Sequence, residues 1–485
     1  MSKQLFIGID VGSSGVRVEV YDEEGNLIAV GRSSISKQDI NEWIEVLRKA
    51  MPHVVKECIN CEKHVSIDST SGTFIAIDKR GEVLYGPVMY YEKKADVFEE
   101  VKNMPEIQEL AKRGITTDAT SPYLKILYMK RALKDIYINV HKFVPAATWL
   151  LHKLCYSRGE EWSNVRTDYT NALKFGLDIT TMPPSWFKPL FEALEIDLDK
   201  LPGLAPSGEF ICRAKSELAE EIGLKNASVY QGLTDGNAAA LAGGALDRGD
   251  VNIYTGSTTV PKAAVDKIIT HPALYYHIHP LYGYLAGSAT GFTGAYISWF
   301  AEKILGLTIE EALRYAEVVE AGTEYLFFPY GDRGPFYDSL LMPALANIAM
   351  YDQPREIVIG RIFRSLVLGV TLLENIYLKL FENVFGVKIA EVNLTGGGSK
   401  SKFWNRLRAS VYEKRVVIHG DLVGVGTIIP VLYRSGLYTR ITEIKQRFLK
   451  PVDFIEPDKE LASVYKPFKE RFESRWMKLR ELYRD

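Results

Sequence analysis

An α/β fold made of two similar halves is predicted by three observations. Short apolar, strand-like runs alternate with amphipathic, helix-like runs along most of the chain. The segments GIDVGSSGVRVEV and NIYTGSTTVPKAA repeat one order of strand, Gly/Ser/Thr turn and strand. At 485 residues the chain exceeds one ordinary core, so a duplicated domain with a cleft between the copies is expected, and such clefts favour small-molecule sites.

The elements follow in order. LFIGID is an apolar strand, DVGSSG a turn, VRVEVYD a strand of period two, and EEGN reverses the chain into LIAV. A Walker loop or a Rossmann fingerprint must lead from its glycines into a helix, and here a second strand follows, which excludes both. DINEWIEVLRKAMPHVVKEC reads as one amphipathic helix, HVSIDST as a strand, and TFIAIDKRGEVLYGPVMYY as a hairpin turned at 79–81. In YQGLTDGNAAALAGGAL, residues 238–242 wind into a small-residue helix that Thr234 or Asp235 would cap. The second series opens at DVNIYTGSTTVPKAAV, continues through the helical REIVIGRIFRSLVLGVTLLENIYLKLFENVF, and reaches the strand IAEVNLTGGGSK. There Ser399 or Ser401 would cap the helix that carries Trp404 and Asn405. SVYKPFKERFESRWMKLREL closes the chain as an amphipathic helix with an aromatic face. The expected boundaries are 1–246, 247–452 and a helical extension over 453–485.

A formal net charge of -2 supplies no basic field for nucleic acid, and no apolar run is long enough for a bilayer. MSKQLFIGIDVG runs straight into a strand without a signal region, so a cytoplasmic protein is expected. Four cysteines are too few for a disulfide framework in a chain this long. Cys58 and Cys61 form a C-x-x-C near His64, but Cys155 and Cys212 are isolated, so the spacing reads as chance and no metal is expected there.

Four places carry candidate chemistry. Gly12, Ser13, Ser14 and Gly15 let backbone N–H groups and hydroxyls approach an anion, and Thr255, Gly256, Ser257 and Thr258 repeat that chemistry. Asp10 either bonds its own turn or holds a hydrated Mg²⁺, an ion that takes only one or two carboxylates. Gly396, Gly397 and Gly398 permit close approach of a planar ring or a ribose. Asp235 is either a helix cap or a reactive carboxylate. Tyr284, Trp299, Phe327 and Phe328 could shape a pocket, but aromatic residues so spaced are more often core.

The order of these motifs resembles the FGGY family of carbohydrate kinases, within the wider actin, Hsp70 and hexokinase-like (ribonuclease H-like) fold. FIGIDVGSSGVRVEVYDEEGN, IDSTSGTFIAIDKRGEVLYGPVMYYEKKA, YQGLTDGNAAALAGGAL, NIYTGSTTVPKAA, FFPYGDRGP and VNLTGGGSKSKFWN carry the resemblance over nearly the whole chain. It implies ATP and Mg²⁺ as cofactors, the first phosphate motif at Gly12, Ser13 and Ser14, and the second at Thr255, Gly256, Ser257 and Thr258. Gly396, Gly397, Gly398, Ser401 and Asn405 would serve adenosine, with Trp404 bordering the base or merely packing. Asp10 would lie near Mg²⁺ and the phosphates, and Asp235 would be the general base towards a sugar hydroxyl. Asp10, Ser71, Thr73, Asp168 and Asp235 are expected on the substrate side, with Asp68 and Asn171 as further polar positions. The implied partner is a small-molecule sugar, with no nucleic acid or membrane and with a homodimer admitted.

The chain departs from the family where relatives often read Y-x-D-x-R-A. It has Tyr90, Tyr91, Glu92, Lys93, Lys94 and Ala95, and an ammonium cannot reproduce a guanidinium fork. Arg406 stands where many relatives have glutamine, and GVGTIIPVLYRSG is poorer in alanine than usual. TDYTNALKFGLD, IDSTSGT and SATGFTGA look most like the D-ribulokinase branch near the xylulokinases, so the resemblance favours D-ribulose over D-xylulose. The alternatives are another sugar or polyol kinase (glycerol, gluconate, L-ribulose) or an ATP-driven switch protein of the actin and Hsp70 kind. A kinase would be expected to close its domains over sugar and nucleotide.

Overall fold

The turns GSSG and EEGN reverse the chain twice, so β1 (Gln4–Val11), β2 (Gly15–Tyr21) and β3 (Leu27–Ser34) form an antiparallel meander in this computed structural model. Residues 3–115, 117–348 and 353–483 are described. β4 (Glu62–Ser69) pairs parallel to β1 on its other side, in a register that sets Asp68 beside Asp10. Ser228–Tyr230 pairs parallel to β4, and Phe210–Arg213 closes the sheet antiparallel. Both faces of β1 and β4 are buried; β1 accordingly reads as a near-continuous apolar run, whereas β4 buries His64, Ser66, Asp68 and Ser69 among its apolar residues.

The second sheet repeats the pattern. Val251–Thr255 and Thr259–Val265 form the antiparallel hairpin, Glu391–Thr395 and Arg415–Ile418 add in parallel, and Asp453–Ile455 closes antiparallel. The expected echo of the two opening segments is therefore an echo of sheet topology. The helix Arg355–Phe385 is continuous over 31 residues, and the last helix, Lys459–Leu479, buries Tyr465, Phe472 and Trp476 on its aromatic face.

Two compact units result. One comprises Met1–Ala242, Tyr276–Tyr284 and Leu422–Lys450, and the other Gly243–Tyr275, Leu285–Asp421 and Pro451–Asp485. Boundaries drawn in chain order at 246 and 452 do not describe this division, because 422–450 packs with the first unit and 451–485 with the second. Gly424 explains the return crossing: it lies so close to Gly8 of β1 that a Cβ on Gly8 would collide with its carbonyl.

Two further expectations are corrected. The single amphipathic helix over residues 39–58 is broken into α1 (Ile40–Ala50) and α2 (His53–Glu57). Pro52 has no N–H to donate and holds Met51 in an extended conformation, φ -69° and ψ 118°. The cysteines are all paired, Cys58 with Cys61 and Cys155 with Cys212. Packing of the helix Ala146–Cys155 near the strand Phe210–Arg213 brings the second pair to a Cα separation of 5.9 Å across 57 residues, a proximity that spacing along the chain does not reveal.

Candidate active site

In the first unit the site grows from the ends of β1 and β4. Asp10 and Asp68 are neighbours in the parallel ladder, and Asp68 is fully buried while Asp10 is half-buried. Burial raises the pKa of Asp10, opposed by its closeness to the Asp68 carboxyl and by the Arg17 charge. Burial also holds the Asp68 carboxyl well above the usual carboxylate range, with the Asp10 and Asp235 charges adding to it. Two carboxylates so close do not both ionise cheaply, and both are held above the usual carboxylate range. The Thr427 hydroxyl donates to Asp68 Oδ2 from the helix Gly424–Arg434.

Asp235 begins the helix Asp235–Ala242, and its Oδ1 accepts the Gly236 N–H at 2.6 Å. The chain just before it is anchored by a relay. The Thr234 N–H donates to Thr170 Oγ1 at 2.9 Å, and that hydroxyl donates to Asp168 Oδ1 at 2.5 Å. Asp168 also accepts the N–H groups of Thr170 and Asn171 at 2.9 and 3.0 Å and Asn171 Nδ2 at 2.7 Å, as the N-cap of the helix Tyr169–Ala172. Asp168, expected on the substrate side, is thus occupied by protein donors and holds the Asp235 turn in place.

What the expected residues leave open matters more. Asp68 Oδ1, Asn171 Oδ1, Thr234 Oγ1 and both polar atoms of the Asn237 amide are buried without a hydrogen-bond partner among the described residues. Leu233 and Thr234 pair with Asp68 and Ser69, and Asn171 adjoins Thr170, so these groups lie around the start of the Asp235 helix. Native interiors rarely leave such groups unpaired, and a concentration of them marks where a ligand or ordered water belongs.

Ser71 and Thr73 lie nearby, but the Thr73 hydroxyl is shared with Thr70 at 2.7 Å and accepts the Tyr90 N–H at 3.2 Å. The substituted segment is also engaged within the protein: Glu92 Oε1 accepts the Met89 N–H at 2.7 Å, and Lys94 Nζ sits 3.9 Å from the centroid of Tyr128. Sequence reasoning missed two lysines here. Lys125 donates to the Met89 carbonyl at 2.7 Å and is pushed down to about 8 by burial, with the Lys174 and Lys94 charges adding. Lys174 donates to the Ser71 carbonyl at 3.3 Å, and burial lowers its pKa, opposed by Asp118 and Asp235. Only its position in TDYTNALKFGLD hinted at Lys174.

Small residues let the helix Gly424–Arg434 close on this site. A Cβ at Gly426 would collide with the Ala238 carbonyl of the Asp235 helix, and one at Gly424 would lie 2.8 Å from Glu19 Oε2. Gly426→Ala is therefore expected to lower stability by about 1–3 kcal/mol through overpacking, read as a lower urea midpoint, despite the helix propensity it gains.

At the first turn, Ser13 and Ser14 are exposed, and Gly12 N–H donates to the Gly15 carbonyl at 3.0 Å. The corresponding turn of the second unit presents Gly256, Ser257 and Thr258, and Gly256 N–H closes it on the Thr258 carbonyl at 3.0 Å. Thr255 does not present its hydroxyl: this lies in the core, donating to Glu374 at 3.0 Å and accepting from Arg408 at 2.8 Å. Arg408, fully buried, also bonds both Glu374 oxygens at 2.7 and 2.9 Å and the Gly398 carbonyl at 2.9 Å, so one guanidinium ties the second turn to the triple glycine. Ser401 caps the helix Lys402–Tyr412, and Asn405 Nδ2 donates to the Ser399 carbonyl at 2.6 Å. Both residues shape the glycine loop from behind.

Trp404 packs, with its indole N–H on Thr371 at 2.9 Å and the Arg408 guanidinium 4.0 Å from its ring. Arg406 is surface-exposed and pairs with Asp458 at 2.7 Å. Tyr284, Phe327 and Phe328 are core, whereas Trp299 is exposed. Among the described residues no group of three or more His, Cys, Asp or Glu could hold a metal ion, and no helix is long and apolar enough to cross a membrane.

Residues 5–242 match the model of the N-terminal domain of the FGGY family of carbohydrate kinases. The chain belongs to that family. It is 23% identical to a xylulose kinase of Staphylococcus epidermidis (strain ATCC 12228 / FDA PCI 1200), over 100% of this chain and 99% of that protein. Its fold superposes on a gluconate kinase from Lactobacillus acidophilus with a TM-score of 0.83 at 20% identity, covering 99% of each chain. A ligand-bound xylulose kinase from the same organism gives a TM-score of 0.80 at 19% identity, covering 97% of this chain and 98% of that one.

Proposed function

We propose that this carbohydrate kinase transfers the γ-phosphoryl group of ATP to a hydroxyl of a ketopentose, D-ribulose before D-xylulose, with Asp235 as general base. One observation carries the reading: unpartnered buried polar atoms of Asp68, Asn171, Thr234 and Asn237 gather about the start of the Asp235 helix. A polyhydroxylated acceptor would satisfy those atoms, and a carboxylate in hydrogen-bond reach of one hydroxyl would take its proton as the oxygen attacks phosphorus. The Gly256 turn and the triple glycine would cradle the nucleotide, because glycine lets phosphate oxygens and a ribose approach the backbone where a Cβ would clash. Asp10, the half-buried member of its pair, suits a hydrated Mg²⁺, which needs no cage of three side chains. Bound there, the ion would neutralise charge on the transferring phosphoryl group.

D-ribulose is favoured by the likeness of TDYTNALKFGLD and IDSTSGT to the D-ribulokinase branch, and a ketopentose more broadly by the relatives named xylulose kinase. A second reading, an anionic acceptor such as gluconate, is favoured by the buried Lys125 and the half-buried Lys174 beside Ser71 and Tyr90. The test is ADP release with ATP and Mg²⁺ across D-ribulose, D-xylulose, L-ribulose, glycerol and gluconate. Strong stimulation by D-ribulose is expected. Stimulation by gluconate alone would install the second reading, and equal hydrolysis with every sugar or none would overturn the kinase.

A further inference from the structure

In the second unit, strand alternation separates two neighbours. Thr255 turns inward, 1% exposed, to Glu374 and Arg408, while Tyr254 turns to the opposite face and stays 43% exposed. The Tyr254 ring occupies space that two glycines leave for it. A Cβ at Gly256 would lie 2.5 Å from Tyr254 Oη and 2.7 Å from its Cε1, and one at Gly396 would lie 2.9 Å from Cε2. One phenol therefore runs from the second Gly/Ser/Thr turn to the head of the triple-glycine loop, and a side chain at either glycine would have to displace it. Its hydroxyl makes no hydrogen bond to the described residues.

We propose that Tyr254 is a nucleotide-binding residue. Its hydroxyl donates to a phosphate oxygen of the bound nucleotide above Gly256, and its ring edge backs the ribose above Gly396. The assignment rests on the kinase reading of these two loops. The strand beneath the ring is pinned through Thr255 to the buried Glu374 and Arg408. A phenol has only two side-chain torsions to fix, so its contact costs little ordering entropy on binding. The glycines then have a second task besides backbone approach: they make room for a side chain that binds in their place.

The experiment is calorimetric titration of the full chain with ADP and with adenosine, for wild type, Tyr254→Phe and Tyr254→Ala, followed by KM for ATP and for the sugar. A half-exposed position tolerates both substitutions, and Phe keeps the ring. Loss of one charge-assisted hydrogen bond is expected to weaken ADP about ten-fold in Tyr254→Phe. Adenosine affinity and the KM for sugar should be unchanged in that variant. Tyr254→Ala should weaken ADP further and adenosine as well, as the ring edge is lost. Wild-type ADP affinity in both variants, or tighter binding once the ring is removed, would overturn the assignment. If wild type binds ADP but phosphorylates no sugar, the acceptor reading fails while the Tyr254 result stands. If wild type binds no ADP, both fall.

Discussion

Asp235→Asn is expected to lower kcat by about 10²- to 10⁴-fold while ADP affinity and the folded state are retained. The amide matches the carboxylate in size and can still accept the Gly236 N–H that Asp235 Oδ1 accepts at 2.6 Å, so the helix start is preserved. What it lacks is a lone pair basic enough to take a proton from the attacking hydroxyl. The variant also removes a negative charge that raises the Asp68 pKa, which eases the burial of Asp68 and adds no strain. Steady-state turnover with the preferred sugar, run beside ADP titration, separates chemistry from binding. A variant with wild-type kcat would return Asp235 to the role of a helix-start residue. A variant that lost ADP binding would show that the substitution had disturbed more than the base.

Much of this was legible in the sequence because the informative residues are contiguous. A strand, a Gly/Ser/Thr turn and a strand can be read within about fifteen residues of chain, since local sterics decide them. So can the small-residue run after Asp235 and the triple glycine before Lys402. The break at Pro52 was legible too, but the amphipathic period on either side of it masked it. What stayed hidden are pairings across long separations. Thr427 meets Asp68 across 359 residues. Glu374 and Arg408 lie on different helices 34 residues apart, and neither shows any local mark of a buried charge. Asp168 was read as a sugar-facing carboxylate because sequence does not reveal that protein donors occupy it. Asn237, by contrast, was passed over inside an alanine run, although its buried, unpartnered amide is among the clearest marks of a ligand in the first unit.

Arg408→Met is expected to destabilise the second unit by about 3–5 kcal/mol, the cost of leaving a buried partner charge uncompensated. Both ends of the pair are fully buried: Arg408 and Glu374 each show 0% side-chain exposure, and the Tyr412 hydroxyl donates to Glu374 Oε2 at 2.5 Å. Methionine fills much of the volume, so the loss is electrostatic and not a cavity. Glu374 would retain only Thr255 and Tyr412 as donors. The double variant Arg408→Met, Glu374→Leu is then expected to regain most of the stability, since replacing both ends of a buried pair by apolar groups is often close to neutral. It should not regain nucleotide affinity. Arg408 also holds the Gly398 carbonyl and the Thr255 hydroxyl, and no apolar side chain restores those two bonds between the glycine loop and the turn. Urea unfolding followed by far-UV circular dichroism reads the first effect, and ADP titration reads the second. If the double variant recovered both, the guanidinium would be no more than a counterion for Glu374. Recovery of stability alone would identify it as the brace that keeps the phosphate turn and the triple glycine in one arrangement.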